Sequence, residues 1–152
     1  MLNTVYRGPH SASSYAQLLE RLELPRTTGI LAVDTETISL TDRTCIGIGI
    51  QVTENEGFYV QLLPEPSPLV PLVLQLLADV RINKLYHNSA YDLDVLGELA
   101  KEYNQPAPDN TNIHDTMLMA HVQGLPNGLY ELGSDILGYT DLFEIGLLLK
   151  HY

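Results

Sequence analysis

Apolar residues alternate with small or polar ones, or run together, in five short segments that predict β-strands. Between Thr44 and Thr53 isoleucines alternate with glycines, which is the period-two pattern of a half-buried strand. The polar segment 54–57 then forms a turn signal, and apolar residues resume after it, so a hairpin or meander is expected. The predicted strands are Thr28–Asp34, Thr44–Thr53, Phe58–Leu63, Ile82–Tyr86 and Ile113–Asp115.

Apolar residues spaced by three or four predict helices around these strands. In the segment Ser11–Leu24 an apolar stripe runs from Tyr15 to Leu22, and Pro25 is expected to end that helix. The further predicted helices are Leu72–Val80, Ser89–Tyr103, a segment after Asp115 that ends at Val122, Leu129–Leu137 and Asp141–Lys150. Three strands in a meander, followed by alternating helices and strands, predict a mixed sheet with helices on its faces, which is the α/β class.

Two carboxylates follow the apolar run Ile30–Val33 directly. Asp34 and Glu36 lie two residues apart at the end of a predicted strand, so their side chains point to the same side. Downstream, Asn88 and Asp92 are four residues apart at a predicted helix start and share one face. Gathered carboxylates repel one another unless divalent cations neutralise them, and hard oxygen ligands suit Mg²⁺ or Mn²⁺. The pattern predicts a metal-dependent phosphoryl-transfer site; the alternative for Asp34 and Glu36 is a pair of solvated acids at a strand exit.

Composition and charge restrict the class of protein. The 152 residues are 45% apolar and 18% charged, which is typical of a single globular domain. The net charge of −11 argues against a broad basic surface for nucleic acid, although bound cations can supply positive charge locally. A single cysteine, Cys45, excludes an internal disulfide and is expected in the core. No apolar window reaches membrane-span length and no signal segment is present, so an intracellular, cytoplasmic protein is expected.

Four segments together resemble a known family. The segment 32–37, Ala-Val-Asp-Thr-Glu-Thr, resembles the first exonuclease motif of the DEDD superfamily of 3′–5′ exonucleases, and His87–Leu93 resembles the second. The segments Ile113–Ala120 and Gly128–Tyr139 are similar to those that follow in the proofreading domains of family A DNA polymerases. The resemblance implies an RNase H-like fold with a mixed five-stranded sheet flanked by helices. It also implies two-metal removal of nucleotides from the 3′ end of single-stranded DNA, with a polymerase domain as a partner.

The resemblance further implies roles for individual residues. The metal-binding, catalytic acids would be Asp34, Glu36 and Asp92. The positions implied to contact the substrate are Thr35, Thr37, Leu40, His87 and Asn88. Leu40 would act as a wedge against the terminal base, and Asn88 would bind near the scissile phosphate or cap the following helix. Asp115 and Tyr91 would support the site without being ligands, and Asp115 could instead cap the helix after it.

The fourth acid of the family lies in a third motif that this sequence does not contain. No tyrosine has an aspartate four positions on, and the one histidine with an aspartate five positions on, His87, overlaps the second motif. Tyr152 is the candidate tyrosine of that motif; its alternative is an exposed terminal residue. We therefore expect a single domain, 1–152, that lacks its C-terminal motif and helix.

Three functions remain open at this point. The first is a 3′–5′ exonuclease on DNA. The second is a catalytically incomplete module that is structural or needs a second chain to supply the fourth acid. The third is an RNA exonuclease similar to RNase D.

Overall fold

The computed structural model describes residues 5–7, 16, 19–53 and 56–138. Two of the predicted features lie outside these residues, namely the helix Asp141–Lys150 and the candidate tyrosine Tyr152. The predicted helix Ser11–Leu24 is described only at residue 16 and from Leu19 onward. The chain divides into two compact units, Met1–His114 and Asp115–Tyr152, which are described separately. None of the helices in the described part of the chain has the length and apolar character of a membrane span.

A mixed six-stranded sheet with the order β1-β4-β3-β2-β5-β6 carries the fold. Its strands are β1 (Val5–Arg7), β2 (Ile30–Thr37), β3 (Cys45–Thr53), β4 (Glu56–Gln61), β5 (Asn83–Tyr86) and β6 (Ile113–Asp115). Strand β2 is central, since it pairs antiparallel with β3 and parallel with β5. The predicted α/β class and mixed sheet are confirmed. Strand β1, parallel to β4, adds a sixth strand that three residues were too few to reveal as a pattern.

In the described part of the chain, helices with defined bounds number three in the first unit and two in the second, besides the helical residues 19–22. They are α1 (Leu24–Thr28), α2 (Val70–Ala78) and α3 (Ser89–Glu102), then α4 (Thr116–Val122) and α5 (Leu129–Leu137). The helix predicted to end at Pro25 ends at Leu22, since residues 19–22 are helical and Glu23 is a turn. Pro25 lies in the first turn of the next helix, α1, where a missing N–H breaks no bond. Likewise α2 begins two residues earlier than predicted, with a proline in its first turn.

Three predicted strand boundaries also need correction. Thr28 is helical, and Gly29, with φ 73°, ends α1 in the left-handed conformation that glycine adopts without strain. Strand β2 therefore starts at Ile30 and runs to Thr37, three residues beyond the predicted end at Asp34. Strand β4 begins inside the predicted turn 54–57, since Gly57 pairs with Gln51 of β3.

The core lies between the sheet and helices α2 and α3. Its members include the alternating isoleucines of β3 and apolar residues of both helices, among them Ile48, Ile50, Val73, Leu77, Leu96 and Leu99. Cys45 is buried as predicted, and burial raises the pKa of its thiol to about 11, so the thiol stays protonated and packs as a small apolar group.

One ion pair is enclosed in the first unit. Lys84 Nζ lies 2.9 Å from Asp109 Oδ2, and the two side chains are 0% and 2% exposed. Lys84 Nζ also donates to the carbonyl oxygen of Asp79, at 2.6 Å. Asp109 accepts further bonds from the backbone N–H groups of Thr111 and Asn112. These bonds tie β5, which leads into α3, to the segment before β6.

Candidate metal and active site

The end of β2 places two acids on one face. Along this strand exposed Asp34 and Glu36 alternate with buried Val33 and Thr35, as the period of two requires. Across the ladder, Asp34 lies opposite Gly49 and Glu36 opposite Gly47 of β3. The glycines leave no side chain beside the carboxylates on that strand. The predicted common orientation of Asp34 and Glu36 is therefore present in the structure.

Gly47 has a further role on this face. A Cβ atom at this position would overlap the hydroxyl of Tyr59, which reaches over from β4. The same hydroxyl lies 3.5 Å from the carbonyl oxygen of Ile46, to which it donates. An aromatic side chain thus lies over the strand next to the acids, a neighbour that the sequence pattern did not single out.

Asp92 approaches from the first turn of α3 and fills an open edge of β2. Strand β5 pairs with β2 only as far as Ala32, so the backbone beyond it lacks a strand partner on that side. Asp92, 2% exposed, supplies one: its Oδ1 accepts bonds from the Thr35 N–H at 2.9 Å and the Thr35 hydroxyl at 2.7 Å. The side chain of Thr35 is buried and binds Asp92, and the substrate contact expected of this residue stays a prediction.

The three acids influence one another's ionisation. Burial raises the pKa of Asp34, and the nearby charge of His87 lowers it in part. The pKa of Glu36 is raised by partial desolvation and then by repulsion from Asp34 and Asp92. Burial also raises the pKa of Asp92, while its bonds from Thr35 oppose the shift. Desolvation destabilises the charged form of all three carboxylates, and repulsion adds to this at Glu36 and Asp92, so a hard divalent cation would relieve the cost.

The positions of the described side chains fit a bound metal ion less well than their chemistry does. Within residues 19–53 and 56–138, no three His, Cys, Asp or Glu side chains are placed so that they could hold one metal ion. The oxygens therefore suit Mg²⁺ or Mn²⁺ in kind, but the described side chains do not form a closed set of ligands.

Replacing Glu36 by glutamine is expected to raise the melting temperature at pH 7 in the absence of divalent cations. The folded-state pKa of Glu36 lies above its ordinary value of 4.5, so its stabilising contribution is complete below that value and is lost as the pH rises through the raised pKa. Thermal melts in EDTA at pH 7 and pH 4 would measure this, and the difference from the wild type should vanish at pH 4. Glu98→Gln, at an exposed surface pair, is the control; a lower melting temperature of Glu36→Gln at pH 7 would contradict the repulsion.

A hydrogen-bonded network anchors the end of β2 to α3. The hydroxyls of Thr37 and Tyr91 lie 2.6 Å apart, and Thr37 Oγ1 also donates to the carbonyl oxygen of Ser39 at 3.1 Å. Tyr91, predicted to support the site, thus contacts Thr37, which was predicted to contact the substrate. Arg43, which the sequence analysis did not select, lies with its guanidinium carbon 5.0 Å from the centre of the Tyr91 ring.

Three more of the predicted residues, Asn88, Leu40 and Asp115, have different surroundings in the structure. Asn88 occupies the predicted N-cap position of α3, with φ 73°, but its side chain makes no cap hydrogen bond. Left-handed residues other than glycine store strain and cluster at functional sites, and asparagine tolerates this conformation best. Leu40 is 83% exposed in the loop after β2. In the second unit Asp115 caps α4 by accepting from the N–H groups of Met117 and Leu118, which was one of its two predicted roles.

A central strand that ends in two exposed acids, within a mixed sheet flanked by helices, defines an α/β protein with a candidate site at the end of that strand. The chain belongs to the 3′–5′ exonuclease family, whose model matches residues 9–146. No curated relative matches the sequence.

Solved structures share the fold of this chain. Escherichia coli RNase D, an exoribonuclease involved in structured RNA processing, is 23% identical with a TM-score of 0.63, over 90% of this chain and 34% of that one. Brucella melitensis NrnC with bound Mg²⁺ is 24% identical with a TM-score of 0.57, over 73% of this chain and 54% of that one. The EXD2 exonuclease domain is 20% identical with a TM-score of 0.53, over 84% of this chain and 67% of that one. The chain spans about half the length of NrnC and a third of RNase D.

Proposed function

We propose that this chain is a metal-dependent exonuclease that hydrolyses phosphodiester bonds at the 3′ ends of single-stranded DNA. The observation that carries the proposal is the exposed pair Asp34 and Glu36 at the tip of a central strand, beside the hydrogen-bonded Asp92, in a chain of the 3′–5′ exonuclease family. Mg²⁺ or Mn²⁺ is the cofactor we propose, and the exposed side chains of Asp34 and Glu36 would have to turn toward Asp92 to bind it. NrnC, of similar fold, was solved with bound Mg²⁺.

Each group has a distinct task in this proposal. Metal ions at such a site supply an activated water and stabilise the leaving oxygen when they are bound. Asp34 and Glu36 are exposed and can adapt their rotamers, whereas Thr35 fixes the rotation of the Asp92 carboxylate. His87 and Asn88, between β5 and α3, contact the terminal nucleotide. The exposed side chain of Leu40 gives an apolar surface against which the terminal base packs.

An RNA substrate is the second candidate. RNase D, similar to this chain in fold, is an exoribonuclease, and NrnC was solved bound to the dinucleotide pGG. Recognition of a 3′ end by phosphate contacts and base packing does not by itself distinguish DNA from RNA, because the 2′-hydroxyl makes that distinction. DNA and RNA of equal sequence therefore have to be compared directly.

A catalytically incomplete module is the third candidate. Residues 1–152 contain no Tyr-x-x-x-Asp, and the described side chains form no closed group of metal ligands. In this case the fourth acid would come from a polymerase domain or from a second chain, and residues 1–152 alone would be inactive.

The test is nucleotide release from matched single-stranded DNA and RNA, labelled at either the 3′ or the 5′ end, with Mn²⁺, Mg²⁺ or EDTA. We expect the 3′ label to leave first as a mononucleotide, only when a divalent cation is present, and faster from DNA. Faster release from RNA would support the second candidate. No release from either polymer would support the third, and release in EDTA would contradict the proposed chemistry.

A further inference from the structure

Arg43, in the loop between β2 and β3, contacts the helix that carries Asp92. Its guanidinium carbon lies 5.0 Å from the centre of the Tyr91 ring, a cation–π distance. Its Nη1 lies 3.0 Å from Asp94 Oδ2. Tyr91 and Asp94 are three residues apart on α3 and lie on either side of Asp92 in the sequence. The arginine side chain therefore lies against the first turns of the helix that begins at the candidate site.

Hydrogen bonds within the loop hold Arg43 in place. The N–H of Ile38 donates to the carbonyl oxygen of Thr44 at 3.1 Å, and the N–H of Ser39 donates to that of Asp42 at 3.0 Å. Asp42 Oδ1 in turn accepts from the N–H and the hydroxyl of Thr44. The loop is thus closed on both sides of Arg43 by bonds that do not involve its side chain.

The guanidinium of Arg43 is accessible to solvent, and its ion pair with Asp94 is weak. The side chains of Arg43 and Asp94 are 52% and 72% exposed. An ion pair this exposed contributes about 0–1 kcal/mol, so its carboxylate can be exchanged for another anion at small cost. The other described ion pairs place their cations elsewhere, namely Arg26 and Arg81 at Asp79, Lys84 at Asp109 and Lys101 at Glu98.

We propose that Arg43 binds a backbone phosphate of the substrate strand, exchanging Asp94 for the phosphate when nucleic acid enters. This inference rests on the proposed function. The planar guanidinium matches phosphate oxygens in bidentate geometry, and the Tyr91 ring 5.0 Å away holds it near α3 by a cation–π contact. In a chain of net charge −11, with acids at the tip of β2, a polyanion is repelled, and Arg43 supplies positive charge against the first turns of α3, the helix that carries Asp92. Asp94 holds the guanidinium in position when no strand is bound.

The test is binding of a 5′-labelled oligothymidylate of about ten nucleotides, a length within the usual range of single-strand sites, followed by fluorescence anisotropy. Ca²⁺ replaces Mg²⁺ to limit hydrolysis, and Kd is measured over a series of salt concentrations. Arg43→Ala should weaken binding about fivefold and reduce the slope of log K against log salt by about 0.7, the share of one phosphate on a single strand. Asp94→Asn should tighten binding, because it releases the guanidinium.

The double variant separates this mechanism from a general charge effect. If Asp94 acts through Arg43, then Asp94→Asn tightens oligonucleotide binding in the wild-type background but not in the Arg43→Ala background. Equal tightening in both backgrounds would overturn the proposed exchange of Asp94 for phosphate. An Arg43→Ala variant with a lower melting temperature and an unchanged salt slope would show a purely structural role and also overturn it. A wild-type chain that does not bind the oligonucleotide would overturn the proposed function and this inference together. Binding with a slope independent of Arg43 would overturn the inference alone.

Discussion

Asp34→Asn is expected to reduce the release of 3′ nucleotides by more than about 100-fold. Groups that merely support a metal ligand are worth about 10–100-fold in metal affinity or activity, so removing the charge of a ligand itself should cost more. Asp34 is a better choice for this test than the buried Asp92, because Asp34 is exposed and its replacement should have a small effect on folding. The measurement is the initial rate of release from 3′-labelled single-stranded DNA with Mn²⁺.

The control for Asp34→Asn is Asp135→Asn, which makes the same chemical change at an exposed position of α5. It should leave the rate unchanged and shows that any loss is specific. Equal rates for the wild type and Asp34→Asn would mean that the activity comes from elsewhere, including a contaminating nuclease, and would refute the assignment of Asp34 as a catalytic ligand.

Asp109→Asn is expected to lower the free energy of unfolding by about 3–5 kcal/mol at pH 7, because it leaves the ammonium of Lys84 buried without its counter-charge. Burial alone would raise the pKa of Asp109, but the bonds from Lys84, Thr111 and Asn112 outweigh it and hold that pKa well below the usual value. The stabilisation is therefore complete above about pH 4 and is lost as the pH falls through the depressed pKa. Urea unfolding at pH 7 and pH 3 would show the difference between the variant and the wild type narrowing in acid.

Two further variants make the Asp109 prediction decisive. Glu98→Gln breaks an exposed pair with Lys101 and should cost no more than about 1 kcal/mol. The double variant Lys84→Met/Asp109→Asn removes both charges and should be more stable than Asp109→Asn alone, since no unpaired ion remains buried. A double variant less stable than the single one would show that packing of the Lys84 stem, and not charge, dominates.

The local pattern of apolar and polar residues was sufficient to predict most of the strands and helices. Alternating isoleucines in β3 and the apolar run before Asp34 fix strands because burial on one or both faces selects a period of two or a continuous apolar stretch. The error at Thr28 has a local cause too, because a β-branched threonine before Gly29 resembles the start of a strand.

The parts of the site that could not be predicted depend on contacts between distant residues. The bonds from Thr35 to Asp92 join positions 57 residues apart, and the pair of Lys84 and Asp109 spans 25 residues. Nothing in the surrounding sequence distinguishes Lys84 from an exposed lysine. The orientation of Asp34 and Glu36 was predictable because it follows from strand geometry alone.

The bonds from Thr35 also bear on which cation the chain would prefer. Both fall on the same oxygen of Asp92, so this carboxylate has a fixed rotation, whereas Asp34 and Glu36 are exposed. Mg²⁺ demands near-ideal octahedral geometry at short distances, while larger cations accept irregular ligand sets. A rigidly held Asp92 oxygen would favour cations of one ionic radius, whereas a loosely held one would accept cations of different radii. Cation selectivity would then depend on the hydroxyl of Thr35, a group that faces away from the exposed acids.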